Sequence, residues 1–155
     1  ANQLTDVQVN LIDLNDFEMP IYSIDKEQAN GIPALANQFN ELIKESDAIL
    51  ISFAEHNGSF TAAYKNIYDW VSRIGKSVWE EKPMILLATS PGGRGGKLVL
   101  ETAEKIYGFG NPNLLGTFSL PSFNSNFDSE KGILDAELKE NFNNLLERFN
   151  HHLNQ

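Results

Sequence analysis

The stretch from Ala48 to Gly75 constrains the fold more than any other. It opens with a short apolar run, Ala48-Ile49-Leu50-Ile51, and breaks at a polar segment, Glu55-His56-Asn57-Gly58-Ser59. Phe60, Tyr64, Ile67, Val71 and Ile74 follow at spacings of four, three, four and three. That periodicity marks one face of a helix. The stretch therefore predicts a strand, a tight polar loop and a helix. In an open α/β sheet, loops of this kind leave the carboxyl ends of the strands, where ligands bind.

The rest of the chain extends the pattern. Val7 to Leu14 alternates apolar and polar residues and predicts a strand. Phe17 to Gly31 shows no clear period and predicts a surface loop. Pro33 suits a first helical turn, and Ile32, Leu35, Ala36, Phe39, Leu42 and Ile43 follow at helical spacing. Met84-Ile85-Leu86-Leu87, within Pro83 to Ala88, is apolar without alternation, as in a strand buried on both faces. Leu98, Val99, Thr102, Ala103, Ile106 and Tyr107 predict a helix stopped by Gly108 and Gly110. Leu114 to Phe118 predicts a short strand, Ser119 to Gly132 a loop, and Leu134, Leu138, Phe142, Leu145, Phe149 and Leu153 a long helix covering the sheet. Strands and helices alternate without internal repeats. The expectation is one α/β domain over 1–155, an open, mostly parallel sheet with helices on both faces.

Charge and composition narrow the function classes. A net charge of −9 argues against a nucleic-acid partner or an anionic membrane surface. A small anionic ligand stays open, because backbone N–H groups hold a phosphate without basic side chains. With no cysteine, thiol catalysis, disulfides and thiolate metal sites are excluded, and a reducing compartment is permitted. No apolar run reaches the length of a membrane span, and Ala1 to Asp6 lacks the features of a signal peptide.

Two loops carry the chemical interest. In Ala54 to Ser59, Asn57-Gly58 permits positive φ and can turn successive N–H groups toward a ligand. Ser59 is a candidate cap for the following helix, and His56 offers a flat ring to an aromatic ligand. The same residues also suit a plain strand-to-helix turn. Glu55 is the loop's lone carboxylate, better explained by a structural hydrogen bond or solvation than by general-base work. The second loop, Ser90 to Lys97, has glycine at 92, 93, 95 and 96. Pro91 and Leu98 exclude a P-loop, and the glycine spacing excludes a dinucleotide fingerprint. The loop is either mobile and solvated or a close backbone approach to a ligand. Its place after a buried strand, on the same sheet edge as the first loop, favours the ligand. His151 and His152 are adjacent and share no helical face, so they make no metal site. Trp70 and Trp79 suit packing or an interface. An exposed aromatic among Tyr64, Tyr68 and Trp70 suits a subunit contact.

These residues resemble the NADPH-dependent FMN reductases, flavodoxin-like proteins that include quinone, chromate and azo-dye reductases. The most specific segment is Tyr64-Lys65-Asn66-Ile67-Tyr68-Asp69-Trp70-Val71-Ser72, preceded by Glu55-His56-Asn57-Gly58-Ser59. Ser90-Pro91-Gly92-Gly93-Arg94-Gly95-Gly96 is similar to the family's second flavin loop. The resemblance implies that Glu55, His56, Asn57, Gly58 and Ser59 hold the isoalloxazine ring and that Ser90, Gly92 and Gly93 line the other side of the site. Ala54 stands where the family usually has proline, and His56 where it often has an aromatic residue. Lys65, Asn66, Asp69 and Trp70 are family-typical and suit helix packing and dimer contacts. The family also begins with a strand and a Ser-rich phosphate loop. Here Ala1 to Leu4 looks like the tail of the helix that follows them, so the expectation is a sequence lacking its natural N-terminus. In the order 2-1-3-4-5, the absent first strand would lie between Val7–Leu14 and Ala48–Phe53.

The resemblance implies a cytoplasmic flavodoxin-like reductase. NADPH or NADH would reduce FMN, which would pass the electrons to a quinone or other small acceptor, with no catalytic side chain needed because the cofactor carries the chemistry. It also implies a homodimer or homotetramer built on the helix from Phe60 to Ile74. Arg94 or Lys97 would be the residues to meet a 2′-phosphate. The competing expectations are a non-enzymatic electron carrier or FMN-binding module, and an interaction domain without flavin.

Overall fold

The computed structural model describes Leu4 and residues 7–154. In chain order, a 3₁₀ turn at Leu14–Phe17 leads to α1 (Ile24–Asn30), α2 (Ala34–Glu45), β1 (Ile49–Phe53), β2 (Glu55–His56), β3 (Ser59–Phe60), α3 (Ala62–Val71) and β4 (Met84–Thr89). Then come α4 (Lys97–Gly110), β5 (Leu114–Leu120), α5 (Phe123–Asn126), β6 (Phe127–Asp128), β7 (Gly132–Ile133) and α6 (Ala136–Leu153).

The main sheet has order β1-β4-β5 and is parallel throughout, with Ile49 opposite Met84 and Ile85 opposite Gly116. The unbroken apolar run of β4 follows from its central place. Met84, Leu86 and Ala88 pack with Phe39 and Ile43 of α2, Ile67 and Val71 of α3, and Val99 and Ala103 of α4. Ile85 and Leu87 belong to the opposite core, with Leu145, Leu146 and Phe149 of α6. Every second residue faces a different helical layer, so no polar position is left. The expected three-layer arrangement is present.

Several local expectations need correction. Val7 to Leu14 is not a strand: residues 7–13 have no regular structure and Leu14 opens the 3₁₀ turn. Alternation prepares a strand, but a ladder needs a partner, and β1 has none on the edge away from β4 among the described residues. Leu11 is accordingly 90% exposed. The connection Phe17–Gly31 is not all loop. Ser23 caps α1 by accepting from Lys26 N, and Gly31 closes the helix at φ 73°. β1 is only half buried, with Leu50 exposed. Gly108 lies inside α4 rather than stopping it. The loop Ser119–Gly132 folds into α5 and a small hairpin, β6 with β7. The expected helix tail at Ala1 to Leu4 lies outside the described residues except for Leu4.

Among the family-typical residues of α3, Asn66 and Trp70 are packing residues. Asn66 Oδ1 accepts from Tyr22 N at 2.9 Å, and Trp70 Nε1 donates to Pro20 O at 2.7 Å. Together they fasten the 19–22 segment to the helix. Lys65 pairs with Asp69 at the surface. Tyr64 and Trp70 are buried, which removes both as exposed interface aromatics; Tyr68 is half-buried. No helix among the described residues is long and apolar enough to cross a membrane.

Candidate functional site

Because β1, β4 and β5 are parallel, their carboxyl ends at Phe53, Thr89 and Leu120 open on one edge, and both candidate loops leave from it. The first is more ordered than a strand-to-helix turn. Glu55 and His56 pair antiparallel with Ser59 and Phe60, and Asn57 (φ 53°) and Gly58 (φ 76°) form the two-residue turn between them. Two successive positive φ values give the turn type that matches strand twist, which Asn-Gly favours. Ser59 is thereby occupied in β3 and is not the helix cap. Thr61 takes that role, its hydroxyl accepting from Tyr64 N at 3.2 Å. Phe60 docks the hairpin on the core, with its ring 5.4 Å from Phe53 and 5.1 Å from Tyr64. Under that contact the Tyr64 and Tyr107 hydroxyls hydrogen-bond to each other. Burial pushes the Tyr64 phenol well above its ordinary range, so it stays a neutral packing group.

Glu55 has a structural task, the reading its sequence context favoured. Its Oε2 accepts from Val99 N at 3.0 Å. Val99 is in the first turn of α4, where backbone N–H groups lack intrahelical partners and a negative charge is stabilised. Gly58 lies over the same turn, since a Cβ there would sit 3.4 Å from Leu98 Cδ1. The hairpin is thus clamped to the start of α4, leaving His56, Asn57 and Ser59 exposed and Gly58 half-buried.

The second loop reaches the same helix from the other side. Gly96 is the residue before α4, at φ 75°. Ser119 Oγ donates to Gly95 O at 2.9 Å, Thr89 Oγ1 donates to Leu120 O at 2.7 Å, Ser122 N donates to Gly92 O, and Phe123 N donates to Ser90 O. The loop is therefore fixed to the end of β5 rather than mobile. Ser90 is half-buried, its hydroxyl 3.3 Å from Gly92 O, while Gly92 and Gly93 are exposed. A groove of about 620 Å³ beside it is lined by Gly93, Arg94, Lys97, Thr117, Ser119 and Pro121 among others.

The structure thus brings all eight candidate residues to one sheet edge, around the first turn of α4, without direct hydrogen bonds between the two loops among the described residues. Thr61, Thr89 and Ser119, which hold the loops in place, had no separate sequence signal; their roles depend on chain segments that only the fold brings together. No group of three potential metal ligands occurs among the described residues.

Comparison with known proteins fits this geometry. The family described as NADPH-dependent FMN reductase matches residues 1–129. The chain belongs to that family. The NADPH:quinone oxidoreductase of Arabidopsis thaliana is 29% identical over 90% of this chain and 71% of its own length. The quinone reductases of Pseudomonas putida (37% identical over 57% of this chain) and Escherichia coli K12 (33% over 51%) match over 46% and 42% of their own lengths. The chain therefore spans less than half the length of these bacterial relatives. In fold it is similar to FerB of Paracoccus denitrificans, a flavoenzyme NAD(P)H:(acceptor) oxidoreductase, with a TM-score of 0.69, 22% identity, and coverage of 94% of this chain and 79% of FerB. The fold is flavodoxin-like.

A family of FMN reductases implies an FMN site, and the ring-side residues present are compatible with one. A Cβ at Gly93 would meet nothing within 4 Å, and one at Gly92 would meet only Ser90 Oγ at 3.8 Å, so the loop backbone is open to a flat ring. Gly58 of the Asn57-Gly58 turn lies over the first turn of α4, and His56 is exposed. The Ser-rich phosphate loop that the sequence resemblance implies is not among the described residues, and β1 has no neighbouring strand there to carry it.

Proposed function

We propose that this chain forms the ring-binding part of an NAD(P)H-dependent FMN reductase whose acceptor is a quinone or a similar small oxidant. The observation that carries the reading is the convergence of two loops from neighbouring parallel strands on the first turn of α4, one through Glu55 and Val99 and the other through Gly96. Bound FMN supplies the hydride acceptance and the onward electron transfer. The residues hold and orient it. The Asn57-Gly58 turn presents backbone donors to the ring edge, His56 offers its ring to the ring face, Ser59 edges the hairpin, and Ser90, Gly92 and Gly93 line the opposite side. No side chain needs to carry a proton, because the cofactor carries the chemistry. The quinone acceptor is suggested by what the Arabidopsis and bacterial relatives are named for. A cytoplasmic place accords with the lack of cysteine, and a homodimer or homotetramer with the family resemblance of α3.

The test is addition of FMN to the purified chain, followed anaerobically by NADPH and then benzoquinone. A yellow complex that bleaches with NADPH and recovers with the quinone is the expected result. A yellow complex that does not bleach identifies an electron carrier instead. A chain that takes up no FMN overturns the reading. Light scattering of the same sample checks the oligomer.

A further inference from the structure

α4 packs into the core through Val99, Leu100, Ala103 and Tyr107, all buried. The opposite face of such a helix is ordinarily polar. Here it is not. Leu98, Thr102, Lys105 and Phe109 follow at spacings of four, three and four, which sets them in one line along the solvent side. Leu98 is 39% exposed and Phe109 97% exposed, and Ile106, beside the line, is 45% exposed. Single exposed apolar side chains are ordinary, whereas contiguous ones mark a contact surface. The surface widens beyond the helix at two points. Ile106 shares a recess with Tyr68 and Ser72 of α3, and Leu98 lies against Gly58 of the hairpin.

The stripe is its own complement. Its apolar ends, Leu98 and Phe109, stand equally far from a midpoint between Thr102 and Lys105. A second α4 laid antiparallel about a two-fold axis at that midpoint sets each Leu98 against the partner's Phe109 and each Thr102 beside the partner's Lys105. Glu101 flanks the line one turn before Lys105, and the same pairing brings it close to the partner's Lys105, once on each side of the axis. Glu101 and Lys105 are both exposed, and neither belongs to an ion pair among the described residues. A chain of net charge −9 repels its own copy at long range, but these two residues carry one charge of each sign, placed to attract it.

We propose that α4 is the seam of a two-fold homodimer, in which the partner's Phe109 packs on Leu98 and covers the Gly58 side of the hairpin, while Glu101 pairs with the partner's Lys105. The seam concerns association alone and stands whether or not the chain binds flavin. The test is sedimentation equilibrium of the full chain without flavin, where a reversible dimer is expected. Phe109→Asp should weaken it at least about tenfold. Glu101→Lys and Lys105→Glu should each weaken the homodimer, since each sets like charges together. Mixed, those two variants should form a heterodimer about as tight as the parent, because both pairs are then complementary. All three positions are exposed, so the variants keep the fold, which circular dichroism checks. In a mixture of isotope-labelled and unlabelled chains, a nuclear Overhauser contact between the Phe109 ring and the Leu98 methyl groups is expected. Within one helix the two residues stand about 16 Å apart, so the contact can arise only between copies. A chain that stays monomeric at every concentration overturns the proposal. So do a dimer that Phe109→Asp leaves as tight, the absence of that contact in the dimer, and charge variants that prefer their own copies to each other.

Discussion

The 54–61 hairpin and the 90–96 loop leave neighbouring strands at the same edge, yet different physics holds each. The glycine loop is set by contact. A Cβ at Gly95 would lie 2.5 Å from Ser119 Oγ, 2.7 Å from Pro121 N and 2.8 Å from Leu120 C, and one at Gly96 would lie 2.8 Å from Ala88 Cβ. Hydrogen bonds that link the loop to Ser119, Ser122 and Phe123, and the adjoining Thr89 to Leu120, reinforce that fit. The hairpin touches α4 through one carboxylate and the surface of Gly58. A loop packed against backbone has almost no freedom to adjust, whereas a two-rung hairpin held to α4 by one charge-assisted bond and to the core by the Phe60 ring rests on side chains, which yield more readily. The site thus pairs a fixed wall with an adjustable arm.

The comparison breaks most visibly at Gly95. Gly95→Ala adds both a left-handed backbone penalty at φ 58° and contacts with backbone atoms that cannot yield. It is expected to cost about 3 kcal/mol or more, seen as a lower urea midpoint or as failure to accumulate folded protein. If the variant melts like the parent, the wall is not fixed by contact. Glu55→Ala is expected to cost less, about 1–2 kcal/mol, because it removes one bond to a helix N-terminus from a half-buried group. Its larger effect should be on FMN affinity, measured by flavin fluorescence, since it releases the arm. Glu55→Gln, which keeps an acceptor oxygen, should recover part of both losses.

Much of this contrast lay beyond the reach of sequence. The apolar run Met84–Leu87 revealed a central strand because both its faces are covered, and the spacing from Leu138 to Leu153 revealed α6 because one face packs on the sheet. Val7–Leu14 misled because period-two alternation says nothing about whether a partner strand is present. The signals for α1 were there in Ser23 and Gly31, but a seven-residue helix that buries no side chain leaves no apolar stripe to read. At the site, Asn57-Gly58 was legible as a turn. Its hairpin pairing and the displacement of the cap from Ser59 to Thr61 follow from Phe60 packing on Phe53 and Tyr64, a tertiary contact. The bond from Glu55 to Val99 joins positions 44 residues apart and has no local signature.

Two smaller substitutions sharpen the comparison. Gly58→Ala forces a β-carbon onto φ 76° but meets only the flexible end of Leu98, so about 1 kcal/mol is expected, read as a shift in thermal midpoint. Gly93→Ala is the most discriminating because its effect on stability should be smallest. Its φ is not in the left-handed region, and a β-carbon there meets nothing within 4 Å, so the folded state should change by less than about 0.5 kcal/mol. If a flavin ring approaches the loop backbone at this point, the added methyl group stands in its path and FMN affinity falls while the melt stays unchanged. If stability and FMN affinity both survive, Gly93 is not at the ring, and the open face of the fixed wall serves some other contact. The two variants thus separate a glycine that the fold needs, at 95, from one proposed to serve a ligand, at 93.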